Sequence, residues 1–152
     1  MLLPQPVIIP VQGATARDWN VDSFWYTPWG ASGVHKGIDI FAAQDTPVLA
    51  TTHGVVVFTG VFGNGGRVVL MLGPRWRLHY FAHLESVSVS VGRVLALGAA
   101  LGTVGDSGNA LGKAPHLHYS VLSLVPYPWR IRAQPQGWKR AFYLDPGAVI
   151  GE

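Results

Sequence analysis

The chain carries six histidines and no cysteine. Any metal site must therefore be built from imidazole and carboxylate, and disulfides, thiolate ligands and cysteine nucleophiles are excluded. Spacing singles out three places. In His116-Leu117-His118, residues i and i+2 of a strand point to one face, so the two rings can approach a single ion while Leu117, with Tyr119 on its side, turns into the core. In His35-Lys36-Gly37-Ile38-Asp39, a spacing of four would suit a helix face, but Gly37 and the run Ile38-Asp39-Ile40-Phe41 disfavour helix. His35 is expected on a loop entering a strand that carries Asp39, the two converging only through the tertiary fold. The third place is His83, at the end of Leu78-His79-Tyr80-Phe81-Ala82-His83. Strand alternation puts 79, 81 and 83 on one face, with His83 at a cleft and His79 in a structural or substrate-side role. His53, in a Thr-His-Gly turn, reads as surface.

These pieces offer two imidazoles and one carboxylate to a metal, with further histidines nearby. Zinc accepts nitrogen and oxygen ligands at about 2.0 to 2.2 Å, and three protein ligands leave a fourth position open, as in catalytic sites. Bound zinc lowers the pKa of water to about 7. Spacing alone leaves open whether His116, His118 or both would be ligands.

The elements that must position these groups are mostly strands. Short apolar or β-branched runs at 37–41, 47–59 (broken at His53-Gly54), 67–72, 77–82, 96–104 and 116–124 alternate with turn signals such as Gly63-Asn64-Gly65-Gly66 and Gly73-Pro74. Val87 to Val91 alternates valine with serine, which predicts a half-buried strand. A further short strand is expected at Pro6 to Val11. No window carries a helical period of useful length. The fold class is all-β, mainly antiparallel: a central sheet as a sandwich or open barrel with an active-site groove and few or no helices. Trp19, Phe24, Trp25, Tyr26 and Trp29 crowd one short stretch; some should pack on the sheet and some could line a groove.

The chain has 152 residues, 49% of them hydrophobic and 12% charged, with 19 glycines and 11 prolines. This suits one globular domain and excludes a disordered chain. A net charge of +3 favours anionic partners without choosing among them. The one dense basic group, Arg130, Arg132, Lys139 and Arg140, reads as a solvated face; no nucleic-acid module accompanies it. No apolar run is long enough to span a bilayer, and Met1 to Pro4 lacks the pattern of a signal peptide.

Three stretches together resemble the lysostaphin/LytM-type zinc metalloendopeptidases, a family of peptidoglycan hydrolases. They are His35-Lys36-Gly37-Ile38-Asp39, Tyr80-Phe81-Ala82-His83-Leu84 and Pro115-His116-Leu117-His118-Tyr119, with Gly63 to Gly66, Val91-Gly92 and Gly102 to Asn109 as intervening turns. The resemblance covers roughly residues 30 to 122. It implies one zinc ion held by His35, Asp39 and His118, with His83 and His116 as the non-ligand catalytic pair. It implies a substrate among the cross-links or stem peptides of the bacterial cell wall. The whole chain, 1–152, is then expected to be a single such domain. Residues 1–29 and 123–152 would be flanking extensions packed on its core, the protein would be a monomer in the periplasm or outside the cell, and an export signal or anchor would lie outside this sequence. No nucleic-acid partner or stable membrane insertion is expected. Residues 1 to 30 show no clear inhibitory segment, so an open, active form is expected.

Two other classes would need features that this sequence lacks. A non-enzymatic relative, acting as a cell-wall binding module or hydrolase activator, would have lost metal ligands, whereas all three are present here. A β-barrel metal oxygenase with a two-His-one-carboxylate triad would need a carboxylate where Gly37, Phe41 or Leu122 stands.

Overall fold

Nine strands, one short α-helix and six short 3-10 turns make up the regular structure that the computed structural model gives for residues 7–20, 22–27, 34–133 and 136–150. The strands are β1 (Ile38–Phe41), β2 (Pro47–Leu49), β3 (Gly54–Val61), β4 (Arg67–Gly73), β5 (Arg77–Val87), β6 (Val94–Leu95), β7 (Ala100–Val104), β8 (His116–Ser123) and β9 (Tyr143–Leu144); α1 is Pro146–Ile150. All ladders are antiparallel. The main path runs β1-β8-β5-β4-β3-β6 and does not close, while β7 joins β2 to β5 and β9 pairs with β8. This is the open, mainly antiparallel sheet that the strand and turn signals predict.

Alternation sorts β8 into two faces. Leu117, Tyr119 and Val121 are fully buried and pack with Ile38, Ile40, Val69, Met71 and Phe81 in the core. Each such side chain contributes roughly 1.5–3 kcal/mol by leaving water. The opposite face of β8 carries His116, His118, Ser120 and Leu122 and forms the floor of a groove. The two ends of the chain complete the core, through Val11 and Trp19 before β1 and through Leu144 of β9 and Val149 of α1.

Several elements differ from expectation. Residues 8–11 form no strand; they run beside β2 with a single bridge, Val11 to Val48, and Pro6 lies outside the described residues. Val87 to Val91 is not a separate strand. β5 continues to Val87, after which the chain keeps only the Ser88 N–H to Leu101 carbonyl bond before a turn at Gly92; Val87 and Val89 still pack against the core. Of the aromatic group, Trp19 and Trp25 are buried, Tyr26 is exposed, and Trp29 lies outside the described residues. None of the described members lines the groove.

Candidate active site

Register brings the first two groups together. In the β1–β8 ladder Asp39 faces His118 and Ile38 faces Tyr119, so when the isoleucine enters the core the aspartate must turn to the groove. His118 Nδ1 lies 2.8 Å from Asp39 Oδ1. His35 arrives from outside the sheet. Its backbone is fastened to residues 25 and 26: the Trp25 N–H donates to the His35 carbonyl at 2.6 Å, and the His35 N–H donates to the Tyr26 carbonyl at 2.9 Å. Its ring is buried, with Nε2 3.1 Å from Asp39 Oδ1 and 3.3 Å from His118 Nδ1. Gly37 permits this approach, because a Cβ there would overlap the Tyr119 carbonyl and Ser120 Oγ.

The three donor atoms fit one cation. A tetrahedral ion with ligands at about 2.0–2.1 Å spaces them roughly 3.3 Å apart, close to the separations found here. His35 Nδ1 donates to the Ser23 carbonyl at 2.9 Å; a carbonyl only accepts, so Nε2 is the atom aimed at Asp39 and His118, bare for a metal in the neutral ring and a donor to Asp39 Oδ1 when the ring is protonated. His118 Nε2 meets Ser120 Oγ at 3.0 Å. Such outer partners fix ring orientation in metal sites. Burial alone would raise the Asp39 carboxyl, but hydrogen bonding to His118 and His35, with the charge of those rings when protonated, holds it well below the ordinary carboxylate range. The site is thus a carboxylate that demands positive charge, which protonated rings or a metal ion can supply.

His83 and His116 stand beside this cluster. Their ring centroids are 5.0 Å apart, and His83 is 6.0 Å from His118. Both Nδ1 atoms donate to backbone carbonyls, His83 to Ser107 at 2.7 Å and His116 to Ala114 at 2.9 Å. This leaves Nε2 of each ring as a proton acceptor. His116 Nε2 is 4.0 Å from Asp39 Oδ1. Burial lowers the His83 pKa to about 4; the Ser107 carbonyl opposes this, and the neighbouring His116 and His118 add to it.

Strand alternation fails at His83, for a clear reason. Against β4, Val69 pairs with Phe81 and Arg67 with Leu84, so three steps of β5 oppose two of β4. The extra residue is a β-bulge, with His83 at φ +62°. Bulges re-aim side chains in this way. Phe81 and Leu84 stay in the core while Ala82 and His83 both line the groove. His79 is on the core side, buried, stacked on Tyr119 and hydrogen-bonded to its hydroxyl at 2.6 Å. His53 is exposed.

Sequence reading missed the groups that orient the rings. Ser120 was open to detection, being two residues beyond His118 on the same strand face. Ser23, Ser107 and Ala114 act through backbone carbonyls, for which residue type gives no signal. Ser107 does more, since its hydroxyl accepts from the Arg67 N–H at 3.0 Å and donates to the Leu84 carbonyl at 2.8 Å, bracing both strands at the bulge. The groove, about 780 Å³ in volume, runs over this assembly. Its walls include Phe58, Phe62 and Asn64 on one side and Asn109, Lys113 and Tyr143 elsewhere.

The model of Peptidase family M23 matches residues 33–126. The DD-carboxypeptidase/endopeptidase Mpg of Neisseria meningitidis serogroup B is 37% identical over 102 residues, which is 67% of this chain and 21% of that protein. The peptidoglycan DD-endopeptidase ShyC of Vibrio cholerae serotype O1 is 31% identical over 93 residues, 61% of this chain and 21% of that protein. The chain therefore spans about a fifth of the length of these curated relatives. In fold it is similar to the catalytic domain of lysostaphin from Staphylococcus simulans, with a TM-score of 0.69 at 24% identity over 86% of this chain and 90% of that one.

Proposed function

This chain belongs to peptidase family M23, and we propose that it is a zinc metalloendopeptidase cutting peptide cross-links or stem peptides of bacterial peptidoglycan. The observation that carries this reading is the convergence of His35 Nε2, Asp39 Oδ1 and His118 Nδ1 at one point of the groove, with His83 and His116 beside it. The naming of relatives as peptidoglycan or DD-endopeptidases supports the substrate class.

In this proposal His35, Asp39 and His118 hold one zinc ion, which when bound would supply Lewis acidity toward a scissile carbonyl and water of lowered pKa. His83 and His116 supply the proton chemistry. With Nδ1 held by carbonyls, each presents Nε2 to the groove and can accept a proton there from attacking water. The ring so protonated can return it to the leaving amine or donate to a developing oxyanion. Burial keeps His83 neutral at ordinary pH, as a base requires. Tyr80, T-shaped against His118 at a ring-centroid distance of 6.3 Å, helps to wall the site.

We further take residues 1–152 as one unit, since Val11, Trp19, Leu144 and Val149 share the core of the matched region. Its place of action would be the cell envelope outside the cytoplasm. Among the described residues no helix is long and apolar enough to cross a membrane. The test is mass spectrometry of fragments released from purified peptidoglycan. Zinc-loaded wild type should release peptides with new free amines, and His118→Ala should release none. Identical fragment patterns from the two would refute the proposal.

A further inference from the structure

β8 carries His116 and His118 at one end and runs on to Ser123 at the other. Ser123 is about 17 Å along the strand from His118, so what gathers beyond it is remote from the metal-ligand cluster. Backbone hydrogen bonds fold the C-terminal segment into two arms there. The N–H groups of Ser123, Tyr127 and Arg132 donate to the carbonyls of Phe142, Ala141 and Gly137, at 2.6, 2.6 and 3.4 Å. The Leu124 N–H donates to the Trp76 carbonyl at 2.8 Å, which adds the turn between β4 and β5. This end of the molecule exposes large apolar side chains. Trp129 is 71% exposed, Trp76 64% and Trp138 60%, and Leu124, Val125 and Ile131 are about half exposed. Single exposed hydrophobics are ordinary, but a group of them on neighbouring segments marks a surface that meets something apolar.

The charge on the arms has one sign. Between Asp106 and Asp145 the sequence has no acidic residue, whereas Arg130, Arg132, Lys139 and Arg140 all lie on the two arms. The apolar and cationic groups are also tied to each other. The Trp129 ring stands T-shaped at 5.2 Å on Tyr127, which packs on the core. Arg132 Nη1 donates to the carbonyls of Trp129 and Ile131 at 2.9 and 3.0 Å. Lys139 Nζ lies 5.5 Å over the Trp138 ring and donates to Gln136 Oε1 at 2.9 Å. An anionic lipid surface matches both halves of this pattern. Indole rings and aliphatic tips enter the boundary between headgroups and acyl chains, while the cations remain at the phosphates. A sugar polymer fits less well: branched aliphatic side chains make poor stacking platforms, and the arms hold no carboxylate to accept from hydroxyls. We propose that the two arms and the β4–β5 turn form a peripheral docking surface for an anionic phospholipid membrane. Contact is confined to the headgroup region, and it requires neither zinc nor peptide cleavage.

Vesicle sedimentation with the whole chain tests this. The protein should bind vesicles of phosphatidylcholine mixed with phosphatidylglycerol at least about tenfold more tightly than phosphatidylcholine alone. Raised salt should erode the difference, and tryptophan emission should shift to the blue as anionic vesicles are added. Trp129→Ala and Trp138→Ala should each weaken vesicle binding by about tenfold. Both side chains are exposed, so the two variants should keep the wild-type melting temperature and zinc content. Arg130→Gln should weaken binding to the anionic vesicles by about fivefold and leave binding to the neutral ones unchanged. Three results would each overturn the proposal: no binding to either vesicle, equal binding to the two compositions, or binding that both tryptophan variants retain. Capture by purified peptidoglycan that depends on Trp129, without vesicle binding, would also overturn it and assign the surface to the cell wall.

Discussion

Asp39 and His118 face each other across an antiparallel ladder, with the imidazole Nδ1 2.8 Å from the carboxylate. Neither is free to leave this position, because Ile38, Ile40, Leu117 and Tyr119 on either side are fully buried. A slip of one residue would bury the carboxylate and expose the isoleucines. The core thus enforces the geometry of the site.

Asp39→Ala and His118→Ala are each expected to reduce zinc affinity by orders of magnitude, since two donors remain of three. Metal analysis after dialysis should find one zinc per wild-type chain and little in either variant. Zinc should also raise the melting temperature of the wild type, with about 4 kcal/mol gained at a thousandfold excess over Kd, and a chelator should abolish the gain.

His83→Ala and His116→Ala should retain zinc and lose activity. General acid–base groups contribute typically about 10²- to 10⁴-fold, so kcat should fall within that range at nearly unchanged metal content. Loss of zinc from either variant would move that residue into the ligand set.

Ser107→Ala removes the hydroxyl that bridges the Arg67 N–H and the Leu84 carbonyl but leaves the carbonyl that holds His83. The bulge should loosen. We expect about 1 kcal/mol of lost stability and a lower kcat with KM little changed. Hydrogen exchange at residues 82–84 would report the loosening directly.

Gly37→Ala would drive a Cβ into the Tyr119 carbonyl and Ser120 Oγ. Because the obstacle includes backbone, β1 must shift away from β8. A cost of about 1–3 kcal/mol is expected, together with weaker zinc binding as Asp39 moves away from His118. Denaturant unfolding and zinc titration would check both.

His79 is buried on the core side, and burial, with the nearby Arg77 charge, lowers its pKa to about 4. The unfolded chain takes up this proton near pH 6.5, so between those values the unfolded state binds more protons than the folded one. Stability should therefore be full above pH 6.5 and decline as pH falls toward 4, by roughly 3 kcal/mol from this group. His79→Gln should flatten that part of the pH profile in metal-free protein. An unchanged slope would mean that other groups set the acid limb.

Much of the strand layout was legible from apolar runs and turn residues, because β8, β4 and β1 each have one face that must be buried. The Val87–Val91 segment misled, since alternating valine and serine also suits a chain that only brushes the core. The face shared by 79, 81 and 83 misled for a different reason, although His83 lines the groove as expected. Alternation assumes an unbroken ladder, and a bulge is a register mismatch between two strands far apart in sequence.

By itself the sequence determined the chemical inventory: imidazole and carboxylate as the only metal donors, His116 and His118 on one strand face, and Leu117 and Tyr119 behind them. These follow from residue types and the twofold repeat of a strand, which are local properties. The tertiary structure decided the rest. It brought His35 to Asp39 by fastening its backbone to residues 25 and 26 and turned His83 into the groove through the bulge. Each of these depends on pairing between distant segments, and pairing energies belong to the folded arrangement rather than to any stretch of chain.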